Sequence, residues 1–550
     1  MTISPANITI DDNGNIRSND FNDVYFMPEK GIDESKYVFI EPSNFTDKPT
    51  TVLEFGFGTG LNFLLTLDKF KRNLNNLHFI SIEKHPVLKS DLEKIYKFLP
   101  DYLQNLCTEL LNNYPDIIQG KHQLNISGAK LTLHFDEIND CITSINDNID
   151  CIYLDGFAPN KNSAMWGENL FNHCYKILNN NGMVNTFSAS SIVAKGLESA
   201  GFFVNKRDGF GNKRECLIAT KSLFNIPDNI KSIAIVGAGI TGCCLAYELN
   251  KAGYNINLYD KNDKPMTATS GNPFALLDPR FINNDGYEYE FNKNSYLYAI
   301  NFYKQLNTFA VVGLTKFETD KVDKDRMNTW VNTQNIDKQD MTENNNGNYS
   351  LNFATGGALD TQQVAKELTA NINFVQKQIT DTNELSEDLI FICLGAETNE
   401  LAPDIPQTIN RGCIGITTAL LNENKAISKD GYFINSTDKD ICVIGSQFAR
   451  VKNITNTKQN INDLNAIIQK ASPIINISKD QDITLRYGHR SHTKYRIPSI
   501  KQINDKTLCV LGMGARGFIN APYIAHIIKC VAFDNNHIAS HKLLKALTKT

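Results

Sequence analysis

The chain has no cysteine pattern of the kind that builds a disulfide framework or a metal centre: its 12 cysteines are scattered along 550 residues and none stands in a CxxC spacing. The one adjacent pair, Cys243 and Cys244, falls in a predicted helix, where small apolar packing is the expected role. Such usage suits a reducing cytosol. His489 and His492 lack ligand-spaced partners, so no metal is expected. Long apolar runs are missing as well. None reaches the roughly 18 residues of a membrane span, and the opening MTISPANITIDDNG has neither a basic n-region nor an apolar h-region. These absences predict a soluble, cytoplasmic protein without membrane contact. Positive charge is not in excess either, with Lys+Arg 55 against Asp+Glu 60 and a net charge of -5. A nucleic-acid partner would therefore need a local basic patch on an acidic body. There is no internal repeat, and nothing demands more than a monomer.

What the chain does have is two glycine-rich loops of different register, in a length too great for one core. Short apolar runs at TVLEF (51–55), HFISIE (78–83), KLTLHF (130–135), IDCIYLD (149–155) and MVNTFS (183–188) alternate with helical stretches. That alternation predicts a parallel, doubly wound sheet. FFVNKR and ECLIAT, joined by DGFGNKRE, add a closing antiparallel pair, as class I methyltransferase sheets do. The expected division is a Rossmann-like methyltransferase domain over 1–221, an aperiodic linker over 222–230, and a second α/β domain over 231–550 beginning with SIAIV. Asn-rich TENNNGNYS (342–350) reads as surface loop.

In the first loop a strand ends at Glu54, Gly56, Gly58 and Gly60 follow, and LNFLLTLDKF opens as a helix. Glycines there let backbone approach a ligand, and the helix start offers unpaired amides. The arrangement suits the methionine end of S-adenosylmethionine. Glu83 ends the next strand, placed for ribose hydroxyls, and Asp136 and Glu137 end the third, towards an adenine edge. The fourth strand runs into Asp155-Gly156-Phe157, at the carboxyl edge where doubly wound sheets hold ligands. Methylation of an amine needs a neutral lone pair aligned with the methyl-sulfur bond, so a carboxylate and an aromatic wall are the natural parts. Asp155 and Phe157 offer both, although an N-capping Asp and a core Phe would look the same. Trp166 fits a pocket cover and a core residue equally.

In the second loop Gly237, Gly239 and Gly242 follow SIAIV and open a helix, and Asp260 ends the next strand, 23 residues after Gly237. That is a dinucleotide fingerprint in its required βαβ context, with the acid placed for an adenosine ribose. FAD and NAD both fit this unit. FAD is favoured by LCVLGMGARGFINAPYIAHII (508–528), which resembles the strand, turn and helix by which amino-acid-oxidase-type flavoenzymes cover the flavin. It would bring Gly512, Gly514, Gly517 and Phe518 to the cofactor. FICLGAET (391–398) resembles their second adenosine-side strand. Residues 280–390 and 411–500 would form an inserted antiparallel α+β substrate domain. Oxidation of a glycine-like group requires a carboxylate clamp, for which the arginine fork is suited. Arg486, Arg490, Arg496 and Arg516 are available. Arg490 and Arg516 resemble in position the substrate arginines of glycine-oxidase relatives, with loop anchoring as the structural alternative.

Together FNDVYF (21–26), EFGFGTGLNFL, LHFISIEKHP, LDGFAPNKNSAMW and GFGNKRE in the first half, and the FAD fingerprint, ATSGN (268–272), the GHR segment and GMGARGFINAP in the second, resemble the MnmC family of bifunctional tRNA wobble-uridine modification enzymes. LDGFAP with GFGNKRE is the more specific part, and the resemblance covers nearly the whole chain. It implies that Ser270, Gly271 and Asn272 also meet the flavin, and that the substrate is a tRNA anticodon stem-loop. The implied reaction is FAD-dependent removal of the carboxymethyl group from 5-carboxymethylaminomethyl-(2-thio)uridine. S-adenosylmethionine-dependent methylation of the freed amine would follow, giving 5-methylaminomethyl-(2-thio)uridine. Lys206, Arg207, Lys213 and Arg214, near the terminal hairpin of the first domain, are the expected phosphate contacts. Two alternatives are a fused amine oxidase and N-methyltransferase acting on a free small amine or amino acid, and a non-catalytic scaffold that binds both cofactors.

Overall fold

The computed structural model describes residues 3–549 except 13–14, 27, 44, 46–47, 71–72, 147, 158, 160, 212, 225, 228, 283–285, 320–323, 334–340, 344–348, 452–460, 473–476, 478–480 and 535–537. The chain divides into two compact units, Met1–Leu223 and Phe224–Thr550.

The first unit begins with a small antiparallel sheet of β1 (Ile8–Ile10), β2 (Ile16–Ser18) and β3 (Asp23–Phe26), followed by the helix Pro28–Ser35. Its main sheet comprises β4 (Thr50–Phe55), β5 (Leu77–Glu83), β6 (Gly120–Ile126), β7 (Ala129–Phe135), β8 (Ile149–Leu154), β9 (Leu178–Thr186), β10 (Phe203–Asp208) and β11 (Glu215–Thr220). They lie in the order β10-β11-β9-β8-β4-β5-β7-β6. The five inner strands from β9 to β7 are parallel, and the expected hairpin of β10 and β11 closes one edge.

Alternate residues of the inner strands feed two cores. Val52, Phe79 and Tyr153 pack into one, and Leu53, Ile80 and Ile152 into the other, which is why these strands read as continuous apolar runs. From β4 the chain winds outward through β5 and β7, then returns through β8 on the other side. The carboxyl ends of β4 and β8 thus flank the switch point of the sheet.

The second unit is built on β12 (Ser232–Val236), β13 (Asn255–Asp260), β18 (Asn373–Gln376), β19 (Leu389–Ile392), β25 (Ser499–Asn504) and β26 (Thr507–Leu511), in the order β18-β13-β12-β19-β26-β25. Only β25 is antiparallel to its neighbour. A second, nine-stranded sheet holds β14 (Phe274–Leu277), β15 (Phe309–Phe317), β16 (Met341–Glu343), β17 (Tyr349–Asp360), β20 (Thr408–Thr417), β21 (Lys425–Ser428), β22 (Tyr432–Ser436), β23 (Ile441–Val451) and β24 (Thr484–His492).

The inserted region differs from expectation in two ways. β18 and β19, within residues 280–390 or just beyond, return to the nucleotide sheet, and β15 pairs with β21 in parallel, so the insert is mixed. The stretch 342–350 is not wholly loop, because β16 and β17 pair across it, while 344–348 lie outside the described residues. All 12 cysteines are buried and free, Cys243 and Cys244 inside the helix Ile240–Lys251. Among the described residues no helix is long and apolar enough to cross a membrane, and no His/Cys/Asp/Glu cluster could hold a metal ion.

Candidate active sites in the two units

At the switch point of the first sheet lies a cavity of about 430 Å³ lined by Gly56, Gly58, Glu83, Asp136, Glu137, Asp155 and Phe157, seven of the residues expected from sequence. Gly56 has φ +93°, and a Cβ there would stand 2.9 Å from the Asp155 carbonyl oxygen, so the two strand ends meet only because no side chain intervenes. Glu83 accepts hydrogen bonds from the amides of Gly58 and His85, both at 2.8 Å. Its carboxylate is therefore already oriented at the loop it would share with a ribose. Asp136 accepts from Gln119 Nε2 at 3.0 Å, and Glu137 pairs with Lys84 at 2.5 Å.

Glu54 and Gly60 stand behind this wall. Glu54 is 1% exposed and accepts from Asn62 Nδ2 at 3.0 Å and Ser81 Oγ at 2.8 Å. Burial first, and the nearby Asp155 second, push its carboxyl well above the usual range. Gly60 turns the chain into the helix Leu61–Phe70, and a Cβ there would run into the Phe57 ring. Both residues shape the loop, and neither faces the cavity.

The same Asn62 amide donates its second hydrogen to Asp155 Oδ2 at 2.7 Å, so one side chain bridges two carboxyls. Burial pushes Asp155 up to about 6, against the Asn62 hydrogen bond and the charge of Lys213. The Asp155 carboxylate is thus ionised at neutral pH yet basic enough to take a proton.

Beside it Phe157 stacks on Phe21 with centroids 4.6 Å apart, and Tyr25 meets it edge-on at 5.1 Å. Trp166 is buried and donates its indole N–H to the Phe157 carbonyl at 3.0 Å, which settles its role as a core anchor. Phe21, Tyr25, Glu34 and Asn62 are site residues that sequence reasoning missed. The only signal was the aromatic pair in FNDVYF.

The four expected phosphate contacts do not form one surface. Lys213 lines the cavity, pairing with Glu34 at 2.6 Å and lying over the Phe187 ring at 4.6 Å. It belongs to the pocket because the turn between β10 and β11 carries it beside the helix Pro28–Ser35. Lys206 pairs with Glu215 at 2.5 Å, Arg207 lies over the Tyr37 ring at 4.6 Å, and Arg214 is exposed at the hairpin.

In the second unit a cavity of about 640 Å³ is lined by Gly237, Gly239, Asp260, Ser270, Asn272, Gly512, Gly514, Gly517 and Phe518. Gly237 has φ +107°, and a Cβ there would stand 2.6 Å from the Cys393 carbonyl oxygen. Asp260 accepts from the amides of Ala238 at 2.7 Å and Asn262 at 2.9 Å, and Ser270 Oγ accepts from the amide of Ile240, at the helix start, at 3.1 Å. Gly242 and Gly271 stand behind the lining. A Cβ on Gly242 would fall 1.9 Å from the Gly237 carbonyl oxygen, and one on Gly271 would strike Met266 and Arg486, so both are packing glycines.

The arginines separate by their partners. Arg486 donates to the carbonyls of Thr267 and Ala268 at 2.9 and 2.7 Å, anchoring the ATSGN loop. Arg516 reaches the cavity but donates to the Asp278 carbonyl and faces the Asp278 carboxylate at 3.9 Å. Burial raises Asp278, but Lys316 and Arg516 outweigh it and hold the carboxyl below its ordinary range. Arg490 lies over the Phe448 ring at 4.8 Å in the cavity wall. Gly412 makes room for it, since a Cβ there would stand 3.0 Å from Arg490 Cζ. Arg496 lies outside this cavity, on a turn with φ +59°.

The donor sets fit two different groups. The first cavity, acidic with an aromatic wall, fits a cationic sulfonium with its ribose and adenine. The second pairs a glycine loop and helix start, suited to a pyrophosphate, with Asp260 for a ribose.

Comparison with known proteins agrees with this division. Residues 101–222 match the S-adenosyl-L-methionine-dependent methyltransferase family Methyltransf_30, and residues 232–331 match the FAD dependent oxidoreductase family DAO. The tRNA 5-methylaminomethyl-2-thiouridine biosynthesis bifunctional protein MnmC of Marinomonas sp. (strain MWYL1) is 33% identical over 335 residues, 55% of this chain and 49% of the relative. The protein of that name from Leptospira interrogans (strain Fiocruz L1-130) is 31% identical over 352 residues, 58% of this chain and 54% of the relative. The chain thus spans about half the length of the curated relatives it matches. Glycine oxidase from Geobacillus kaustophilus superposes with a TM-score of 0.48 at 13% identity, covering 58% of this chain and 98% of that one. The chain therefore joins an S-adenosylmethionine-dependent methyltransferase domain to an FAD-dependent oxidoreductase domain of the DAO type.

Proposed function

We propose that the chain modifies the wobble uridine of tRNA in two steps, as a cytoplasmic monomer. The second unit removes the carboxymethyl group from 5-carboxymethylaminomethyl-(2-thio)uridine, and the first methylates the freed amine. The observation that carries this reading is the difference in charge between the two cavities, acidic in the first unit and supplied with the half-buried arginines Arg490 and Arg516 in the second. A substrate with a carboxylate suits Arg490, and an amine suits Asp155. The printed name of the relatives from Marinomonas and Leptospira supports the RNA substrate.

When bound, FAD accepts a hydride and S-adenosylmethionine supplies a methyl group. Arg490 holds the substrate carboxylate bidentately, so that the carbon between nitrogen and carboxylate is presented for oxidation. Loss of a hydride from that carbon and of a proton from nitrogen makes the C=N bond of an imine, and water splits it into glyoxylate and the primary amine. Arg516, shared with Asp278, closes the wall beside this carbon. In the first unit Glu83 takes the ribose and Asp136 and Glu137 face the adenine. Asp155 accepts an N–H of the substrate amine, aims its lone pair at the methyl group and receives the proton released, while Phe157, Phe21 and Tyr25 exclude water. Arg214 remains a phosphate contact at the hairpin, Lys206 is held by Glu215, and Lys213 acts instead on the charge of Asp155.

The test is incubation of the purified protein with tRNA from cells lacking this modification step, with and without S-adenosylmethionine, followed by mass spectrometry of the wobble nucleoside. Aminomethyl-uridine without the methyl donor and methylaminomethyl-uridine with it are expected. Unchanged carboxymethylaminomethyl-uridine, with turnover of glycine or sarcosine instead, would overturn the reading in favour of a free-amine enzyme.

A further inference from the structure

Next to the flavin cavity is a second cavity, of about 690 Å³, whose charged lining is Arg280, Arg450, Lys494, Arg496 and Arg516, with no carboxylate among the described lining residues. It shares Gly512, Met513, Gly514, Ala515 and Arg516 with the flavin cavity, so the two flank the same turn. Two of its cations have partners: Arg280 pairs with Glu288 at 2.8 Å and Arg516 with Asp278. Arg450, Lys494 and Arg496 are exposed. On a chain of net charge -5 such a one-signed concave surface is a local departure from the whole.

The strand register extends the picture. Asn410 of β20 lies opposite Arg450 of β23 and Arg490 of β24, and Gly412 lies opposite Phe448 and Gly488. Directly opposed residues, and those two apart along a strand, share a face. Phe448, Arg450 and Arg490 therefore lie on one face of the sheet. Phe448 is 46% exposed although it is a large apolar side chain. One side of the ring carries the Arg490 guanidinium at 4.8 Å, and a small free amino acid held there needs neither the ring's exposed remainder nor the neighbouring cations. A single-stranded polynucleotide uses both, stacking bases on aromatic rings and laying phosphates along cations.

We propose that this face docks the single-stranded RNA around the modified nucleotide, with a base on Phe448 and flanking phosphates against Arg450, Lys494 and Arg496. The proposal rests on the tRNA reading above and moves the main RNA contact from the hairpin of the first unit, where Lys206 and Lys213 already have acidic partners, to the oxidase unit.

The test measures binding of the full FAD-loaded chain to a fluorescent, unmodified anticodon stem-loop RNA by anisotropy over a range of KCl. Arg450→Glu/Lys494→Glu is expected to lose about tenfold or more in affinity at low salt, and its log-log salt slope should fall by about 1.4, from ~0.7 for each phosphate contact to a single strand. Phe448→Leu should lose several-fold in affinity with the slope unchanged, because stacking releases no counterions. Flavin absorbance equal to that of the unmutated chain reports an intact fold. Wild-type affinity and slope in the charge-reversed variant would overturn the docking surface, as would absence of RNA binding by the unmutated chain. Loss of binding in the variant, with no change in tRNA nucleosides by the unmutated protein, would uphold the surface and strike only the reaction.

Discussion

The two cavities are built on the same principle, a glycine loop at the carboxyl edge of a parallel sheet, yet they differ in charge: the first is acidic, whereas carboxylates and cations balance in the lining of the second. In the first, Glu83, Asp136, Glu137 and Asp155 converge, and the two lysines, Lys84 and Lys213, are matched by Glu137 and Glu34. In the second, Arg490 and Arg516 face the substrate side, and a basic annex continues beyond them. The fold fixes where a ligand sits; the sign of the charge decides which chemical form of the substrate is welcome there. In the proposed reaction the substrate side chain goes from a zwitterion to a cation, and the acidic cavity suits the second form. On the proposed function, the order of the two steps would follow from that change of charge.

Removing one charge at a time should break this division cleanly. Asp155→Asn should lower methyl transfer by about 10²–10⁴-fold, the range of a lost general base, while carboxymethyl removal continues. Aminomethyl-uridine would then accumulate in the nucleoside assay. Arg490→Ala should lower kcat/KM for carboxymethyl removal by roughly 30–1000-fold, from about 2–4 kcal/mol of lost charge-assisted contact, measured as glyoxylate release. Methylation of tRNA already carrying the free amine should be unaffected by that change. Arg490→Lys should recover only part of the loss, because an ammonium does not reproduce the fork.

A pH series sharpens the contrast. The Asp155 carboxyl is raised to about 6, so its charged form is lost as pH falls through that value. Single-turnover methylation should accordingly fall about tenfold per unit below it. The oxidation step, whose clamp stays cationic, should lack this limb. The smallest expected effect is that of Lys213→Gln. Because Lys213 lowers Asp155, its loss should move the same midpoint upward, read from the methylation profile.

The parts of this arrangement legible in the sequence were those tied to backbone geometry. Gly56 and Gly237 have positive φ and close carbonyl neighbours, and Glu83 and Asp260 end strands at fixed distances from them. Periodicity and spacing carry such facts. The strand β6 was missed because its run GKHQLNI lies at the sheet edge and is mostly polar, so that only Leu124 and Ile126 carry its alternation. Phe21, Tyr25 and Glu34 precede the first predicted strand, in a segment whose pattern says nothing of the distant loop it covers. Asn62 looks like any helix residue until β4 and β8 place two carboxyls beside it. Lys213 and Arg214 are neighbours in sequence with different surroundings, and only the fold tells them apart. Likewise Arg490 and Arg516 are equivalent as letters; Asp278, from another strand's end, distinguishes them.

Gly412 has a consequence for how the protein can vary. It touches neither reacting carbon nor cofactor loop, yet the space left by its missing side chain is where the Arg490 guanidinium lies. A methyl group there would crowd a movable group rather than backbone, so the protein would still fold, and the damage would surface as poorer discrimination of carboxylate-bearing substrates. In a genetic screen position 412 would behave like a recognition residue while contributing no atom to recognition. On the clamp role proposed for Arg490, part of the specificity of this site is held as unfilled volume, which a survey of polar side chains alone would overlook.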